Sequence, residues 1–339
     1  MTQVDTARKR DPAIDMLKLI STVAVVTIHL SGYGLYLYDI GSFGWLSCNF
    51  WDSLSRFAVP VFLMCTGALM LSPDRELPMR RLINDYLLRI LWILLFWAFV
   101  YRIFNDFGQQ ILSGGSVSLS MLGDAVSKTL LFDHHNHLYY LQLLLLVYVV
   151  LPLMRSFVKN ADEQTLKYAV ILWIVLGVIF PFLLMFPPFS NLGAFVQQYG
   201  LEMSWNAVGF VFFGYYMYTQ KPNRDHFFRY MLCFVAGFLF VFLGTLFFSM
   251  RNGKVFAGFM DGMNIGPALM SCGLFGAVRS LSVGKTDSLT LKKLSASTFC
   301  IYLIHHFFIM IFRQLGFDVL LMPPVLGIPI EVVAALILS

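Results

Sequence analysis

The sequence has little charge for its length. Of its 339 residues only 13% are charged, whereas soluble globular proteins carry roughly 25%. Apolar residues make up 58% of the chain and include 34 phenylalanines. A soluble protein of this size needs more polar residues to cover its surface. The composition therefore excludes an ordinary soluble protein, a disordered chain and a collagen-like repeat.

Paired cysteines are also lacking. The five cysteines have no paired spacing, which argues against a disulfide framework and against a zinc-binding motif. The net charge of +5 does not indicate nucleic-acid binding, because basic residues in a membrane protein mark its cytoplasmic side. We therefore expect no nucleic-acid partner and no metal.

The chain does contain long, continuous apolar runs. A helix needs about 20 mostly apolar residues to cross a bilayer. The sequence predicts an all-α polytopic membrane helix bundle of about ten transmembrane helices, with a last run that reaches the end of the chain, as in a truncated protein. The predicted spans are 13–33, 56–72, 84–104, 137–154, 168–186, 204–219, 227–248, 261–280, 294–313 and 320–338.

The basic residues predict how the chain crosses the membrane. Sixteen of the 24 lysines and arginines lie in alternate connections, and only three lie in the other set of loops. Short loops rich in lysine and arginine stay on the cytoplasmic side of the bilayer. We therefore expect both termini to be cytoplasmic, together with the loops at 73–83, 155–167, 220–226 and 281–293.

Span 1 carries a stripe of polar side chains. Lys18 and His29 are eleven residues apart, which places them about 20° apart around the helix and about 16 Å apart along it. Asp15 and Thr22 lie on the same face. A charge inside a bilayer costs several kcal/mol, so we expect the stripe to face one internal cavity. The alternative is an Asp15–Lys18 pair near the interface and a histidine packed in the core.

Three arginines at the ends of spans are further candidates for function. Arg56 opens span 2 and is either a functional cation or an arginine that extends to the membrane interface. Arg80 and Arg81 precede span 3, and their guanidinium groups match phosphate, which favours a dock for an anionic cofactor. The alternative is that both are ordinary cations of the cytoplasmic side.

Histidines occur in two other parts of the chain. Residues 133–137 hold three histidines and an aspartate, but their spacing fits neither the HExxH motif nor a zinc knuckle. We therefore predict no metal site there. His305 lies deep in span 9, directly before His306, with Ser297 and Thr298 earlier in the same helix. It is either part of a functional cavity or a histidine packed in the core.

Four short motifs follow one another along the chain. They are Asp15-x-x-Lys18 with His29, Arg56 with Val59-Pro60-Val61-Phe62 and Thr66-Gly67, His137-Leu138-Tyr139-Tyr140-Leu141, and Tyr302-Leu303-Ile304-His305. In this order they resemble the acyltransferase-3 family of integral membrane acyltransferases, whose members O-acylate bacterial surface sugars and related acceptors. The resemblance spans nearly the whole chain and implies one integral-membrane domain over residues 1–339.

Three positions depart from the family pattern. Lys18 stands where the family has arginine, which keeps the charge but loses the two-pronged guanidinium that binds phosphate or carboxylate. Tyr139 and Tyr140 stand where the family has tryptophan and phenylalanine, which adds hydroxyl groups to the acceptor region.

The resemblance implies a reaction and the residues that perform it. An acyl group, above all acetyl, would pass from cytoplasmic acetyl-CoA to a hydroxyl of a glycan or lipid-linked sugar, in the lipid bilayer of the bacterial plasma (inner) membrane. The residues implied in catalysis are His29, Arg56 and His305. Those implied in holding the donor are Asp15, Lys18, Arg80 and Arg81. Those implied in binding the acceptor are His137, Tyr139 and Tyr302.

Two other functions fit the same residues. A secondary transporter would use the ionisable residues inside the membrane as a path for protons or a small anion. Such a transporter needs no CoA site, so its activity would not depend on Arg80 and Arg81. A non-catalytic partner in polysaccharide assembly would use the polar stripe only for helix packing, and His29→Ala would then be harmless.

Overall fold

The structure, a computed structural model, describes residues 10–112, 118–133, 136–199, 206–282 and 288–339. Within these ranges every regular element is helical, which confirms the predicted all-α fold. The α-helices are α1 (Pro12–Gly34), α2 (Phe43–Ser55), α3 (Ala58–Met70), α4 (Met79–Arg81), α5 (Leu88–Leu112), α6 (Leu119–Leu130), α7 (Tyr139–Asn160), α8 (Glu163–Trp173), α9 (Phe180–Leu183), α10 (Gly193–Tyr199), α11 (Asn206–Thr219), α12 (Phe227–Asn252), α13 (Ile265–Leu281), α14 (Leu289–Gln314) and α15 (Pro324–Leu338).

Seven helical segments in the described part of the chain are long and apolar enough to cross a bilayer. Each of them overlaps one predicted span. They are Pro12–Gly34, Phe43–Met70, Met79–Gly108, Tyr139–Asn160, Glu163–Leu183, Arg224–Asn252 and Leu289–Gln314. The three remaining predicted spans fall on the shorter helices α11, α13 and α15. The protein is thus a multi-pass helical bundle, and the total of about ten spans stays a prediction.

Span 2 begins earlier than the sequence predicts. Helices α2 and α3 join into one apolar segment, Phe43–Met70, so that Arg56 lies inside it rather than at its end. The sequence pattern failed here because Asn49, Asp52 and Ser53 lower the local hydropathy. All three side chains are fully buried in the bundle, and the Ser53 hydroxyl donates to Asn49 Oδ1 at 3.1 Å. A helix whose polar side chains bind partners inside the bundle has the low hydropathy of a loop, so the sequence alone does not identify it as part of a span.

The five segments predicted to be cytoplasmic meet at one end of the bundle, here termed the basic end. The contacts that join them are Arg10 to the Lys292 carbonyl at 3.3 Å, Arg155 to the Ser72 carbonyl at 3.3 Å, Gln220 to Glu163 at 3.5 Å and Arg279 to the Gln220 carbonyl at 3.1 Å. Alternate connections therefore lie at the same end of the bundle, as a repeatedly crossing chain requires. The side of the membrane that this end faces stays a prediction.

Two arginines of the basic end hold the ends of other helices. Arg155 of α7 donates to the carbonyls of Met70 and Arg75, at and beyond the end of α3. Arg279 of α13 donates to the carbonyl of Met217 in the last turn of α11. The last carbonyls of a helix lack partners within it, so these guanidinium groups stabilise both helix ends.

Helices α3 and α11 approach each other more closely than larger residues would permit. A Cβ atom on Gly67 would lie 1.8 Å from the Val211 carbonyl oxygen, and one on Gly214 would lie 2.2 Å from Met64 Cα. Small residues let the backbones of membrane helices pack directly against each other. This contact fixes α3, the helix that continues from Arg56, against the core of the bundle.

Candidate active site

Four histidines from three parts of the chain meet inside the bundle. His29 comes from α1, His137 lies two residues before α7 begins, and His305 and His306 are consecutive in α14. The His29 ring lies 5.3 Å from that of His305 and 5.1 Å from that of His306, centroid to centroid, and His137 stacks on His306 at 4.7 Å. The sequence singled out three of these histidines as site residues, and the structure places His306 with them. We term these four residues the histidine cluster.

The protonation of His305 follows from its partner. Its Nδ1 lies 3.0 Å from the carbonyl oxygen of Ile301, and a carbonyl can only accept a hydrogen bond. Nδ1 therefore carries the proton, and Nε2 carries the lone pair. The His305 side chain is fully buried, and Nε2 has no hydrogen-bond partner among the described residues. His305 thus presents a basic nitrogen within the histidine cluster, where its ring lies 5.3 Å from that of His29.

Two tyrosines hold the histidine cluster in place. The Tyr302 hydroxyl donates to the His137 carbonyl at 2.5 Å, and the Tyr101 hydroxyl donates to the Leu303 carbonyl at 2.8 Å. The Tyr101 ring packs on the edge of His137, with centroids 4.2 Å apart. Both tyrosines are buried. Through its hydrogen bond to the His137 carbonyl, Tyr302 fixes the position of His137. The neighbouring His134 and His135 lie outside the described residues.

A cavity of about 550 Å³ opens beside the histidine cluster. Its wall includes His29, Arg56 and Tyr139, three of the residues that the sequence singled out. Two carboxylates, Asp133 and Asp261, also line it. The half-buried His29 ring forms part of the wall, and the cavity is large enough for a small molecule. We term the end of the bundle that contains it the cavity end.

A buried carboxylate orients Arg56. Arg56 Nε donates to Asp52 Oδ1 at 2.5 Å, and the Ser31 hydroxyl donates to Asp52 Oδ2 at 3.3 Å. Asp52 is completely buried, whereas the Arg56 side chain keeps 21% of its surface exposed. The ion pair therefore holds the guanidinium at the cavity wall. Sequence reasoning missed Asp52, although an acidic and a basic residue four positions apart on a helix signal such a pair.

Arg313, in the last turn of α14, holds the backbone of His29. Its Nη2 donates to the His29 carbonyl at 3.0 Å, and its guanidinium lies 3.8 Å from the centre of the Tyr33 ring. A cation over an aromatic face and a charged donor on a carbonyl are both attractive. Arg313 thus ties α14 to α1 at the level of His29. Nothing in the local sequence indicates this partner, because 284 residues separate the two.

The ion pair of Asp15 is not the alternative pair with Lys18 that the sequence offers. Asp15 is buried and forms its ion pair with Arg10, and the Ser295 hydroxyl donates to Asp15 Oδ1 at 2.7 Å. Lys18 is half-buried at the same end of α1. Asp15 and Lys18 share a helix face, which suggests such a pair from the sequence, but the packing gives Asp15 two partners from outside α1.

The residues predicted to hold the donor lie at the basic end. Arg80 and Arg81 are exposed on α4, and Arg81 lies 3.7 Å from Asp85. The wall of the cavity beside His29 includes neither Asp15 nor Lys18. We predicted one cavity along the whole polar stripe of α1, but the cavity beside His29 does not extend to Asp15 or Lys18.

Comparisons with known proteins bear on the family to which this membrane bundle belongs. No curated protein and no solved structure matches the chain. A family model described as an acyltransferase domain, Acyl_transf_3, matches residues 11–339. This match covers essentially the whole chain, including both the histidine cluster and the basic end. The chain belongs to the acyltransferase-3 family, and the protein is a membrane acyltransferase.

Proposed function

We propose that the protein is an O-acyltransferase that moves an acetyl group from acetyl-CoA to a hydroxyl of a glycan or lipid-linked sugar. Membership of the acyltransferase-3 family supports acyl transfer in general. The observation that carries the finer proposal is the cavity wall, where half-buried His29 lies near an ion-paired Arg56. We place the protein in the bacterial plasma membrane with its basic end in the cytoplasm.

The donor would bind at the basic end. The phosphates of acetyl-CoA need cations, and this end offers exposed Arg80 and Arg81 together with half-buried Lys18. Lys18 and His29 are about 16 Å apart along α1. The acyl-bearing arm of the donor would span this distance, with its phosphates at one end of the bundle and its thioester at the other.

The acceptor would bind in the cavity. Its volume of about 550 Å³ falls within the roughly 300–1,000 Å³ usual for small-molecule sites. Its wall offers the Tyr139 hydroxyl, the Gln142 amide and the carboxylates of Asp133 and Asp261. These groups donate to and accept from hydroxyl groups, which suits a sugar.

The reaction needs a base and a group that stabilises negative charge. His29 would take the proton of the acceptor hydroxyl, whose oxygen then attacks the thioester carbon. Arg56 would donate hydrogen bonds to the negative carbonyl oxygen that forms. When the carbon–sulfur bond breaks, the CoA sulfur leaves and takes the proton from His29. His305, with its Nε2 lone pair next to His29, would orient the protonated ring between these steps.

Radiolabelled acetyl-CoA tests the proposal directly. The purified full chain is incubated with it, with and without candidate bacterial glycans or lipid-linked sugars, and label in the glycan is measured. We expect transfer only when donor, acceptor and protein are all present. Transport of a small anion into vesicles without any label transfer would contradict the proposal and favour the transporter.

The orientation has its own test. Single cysteines introduced as Ser120→Cys and Asn160→Cys, in a background without the native cysteines, are exposed to a membrane-impermeant maleimide. We expect Ser120→Cys to react from outside intact cells and Asn160→Cys to react only after the membrane is opened. Labelling of both positions from the same side would overturn the topology.

A further inference from the structure

Three members of the histidine cluster come close enough to share one ion. One ring nitrogen each of His29, His305 and His306 lies within 4.8 Å of the other two. In a tetrahedral zinc site with zinc–nitrogen distances of about 2.0–2.1 Å, ligand nitrogens are about 3.3 Å apart. Each ring therefore needs to move by less than about 1 Å to reach that spacing.

The surroundings of His305 match those of a histidine that binds metal. Such histidines donate their other ring N–H to a backbone carbonyl or a carboxylate, which fixes the ring and directs the lone pair to the metal. The bond from His305 Nδ1 to the Ile301 carbonyl, 3.0 Å long, does this. The fully buried Nε2, without a hydrogen-bond partner in the described ranges, is then available as a ligand.

The cavity supplies a fourth coordination position and a route of entry. Of the three histidines, only His29 belongs to the cavity wall, so an ion between the rings would have one side directed to the cavity. Asp261 lines the same cavity and favours the entry of a cation. The two other charged residues of the wall are balanced, Asp133 by Arg102 and Arg56 by buried Asp52. Three protein ligands and one open position complete a four-coordinate, tetrahedral arrangement, which zinc prefers.

We propose that His29, His305 and His306 form a binding site for one divalent transition-metal ion. Three imidazoles suit zinc, copper or nickel rather than magnesium or calcium, which prefer oxygen ligands. His137 stacks on His306 and supports the site without being one of the three ligands.

The consequence for activity rests on the proposed function. A metal ion held by His29 occupies the lone pair with which this residue would take the acceptor's proton. Metal binding therefore blocks acyl transfer, and a chelator restores it. The site is inhibitory, and it makes the enzyme responsive to the metal concentration at the cavity end.

The test measures metal binding first and activity second. The full chain is purified in detergent without a polyhistidine tag, and its Zn²⁺ binding is measured by competition with a chromophoric chelator. His306→Phe removes a ligand nitrogen but keeps a ring to stack on His137. His226→Phe is the matched control, since His226 lies before α12, away from the cluster. His306→Gln provides a second variant, and thermal stability is measured for all.

We expect the wild type and His226→Phe to bind one Zn²⁺, and the two His306 variants to bind it at least about tenfold more weakly at matched stability. Zn²⁺ should lower the acyl-transfer rate of the wild type by about 10²-fold or more and spare His306→Phe. No binding by the wild type, or equal binding by both His306 variants, overturns the metal site. Zn²⁺ binding without a fall in the acyl-transfer rate upholds the metal site and overturns the proposal that metal inhibits the enzyme. Binding by a protein that never transfers acyl groups upholds the site and refutes the proposed function.

Discussion

The cavity end and the basic end hold their charged residues in different ways. At the cavity end, Arg56 is paired with Asp52, whose carboxylate is fully buried. At the basic end, the Arg81 and Asp85 side chains are 50% and 63% exposed, and their charged groups are 3.7 Å apart. One pair is built into the packing of the bundle, and the other lies where solvent and ions reach it.

This difference bears on what each arginine can do. The side chain of a buried ion pair cannot turn away from its partner without leaving an unpaired ion in a poorly polar environment. Arg56 is therefore held in one orientation. Its proposed role, stabilising the negative oxygen of a reaction intermediate, requires such a fixed orientation. An exposed arginine keeps many orientations, which suits the attraction of a flexible, phosphate-bearing donor more than the precise placement of a reacting atom.

The largest expected effect comes from the cavity end. His29→Ala removes the proposed base, and general-base assistance is typically worth about 10²–10⁴-fold in rate. We expect acyl transfer to fall by that factor even at saturating acetyl-CoA, with the protein still folded and inserted. Thr22→Ala is a matched control, since Thr22 lies on the same helix face and its hydroxyl donates to the Lys18 carbonyl within α1. A His29→Ala rate within a few-fold of wild type would return His29 to a packing role.

Asp52→Asn should cost the most stability. It leaves the Arg56 charge without its buried partner, and breaking such a pair costs about 3–5 kcal/mol. We expect denaturation in detergent at lower denaturant concentration and a loss of activity, because Arg56 is no longer held. The double variant Asp52→Asn with Arg56→Gln should recover much of the stability but not the activity. Unchanged stability of the single variant would contradict a structural role for the pair.

At the basic end, we expect substitution of Lys18 to weaken the binding of the donor without changing the chemical step. Loss of one charge-assisted hydrogen bond costs about 1.5–3 kcal/mol, so we expect Lys18→Ala to raise the KM for acetyl-CoA about tenfold or more. High acetyl-CoA should largely restore the rate, and Lys18→Arg should match or exceed the wild type. Initial rates over a range of acetyl-CoA concentrations separate the two effects. A fall in kcat with no change in KM would instead place Lys18 with the reacting groups.

The smallest effect is expected for Asp85→Asn. The exposed pair with Arg81 contributes less than about 1 kcal/mol, so the free energy of unfolding should hardly change. Its comparison with Asp52→Asn in the same detergent and salt directly tests the contrast between the ends. A loss as large as that of Asp52→Asn would mean that the basic end is as tightly built as the cavity end.

Sequence reasoning was most successful where the physical cause is local. All ten predicted spans overlap helices, because a run of apolar side chains is itself the reason for a membrane helix. Sequence reasoning left two environments open for His305, a functional cavity or the packed core, and the structure places its ring 5.3 Å from that of His29. Sequence reasoning failed at residues 43–55, where buried Asn49 and Asp52 look like loop residues until their partners are known.

The sequence alone determined that this protein is a helical membrane bundle, that its basic residues gather in alternate connections, and that His29 and Arg56 are functional candidates. These properties follow from composition, spacing and helix periodicity, which need no knowledge of neighbours. Only the tertiary structure decided that Asp15 pairs with Arg10, that Arg313 holds the His29 backbone, and that His306 completes the cluster. Such pairings depend on how separate helices pack, and packing joins residues up to 284 positions apart that no local pattern relates.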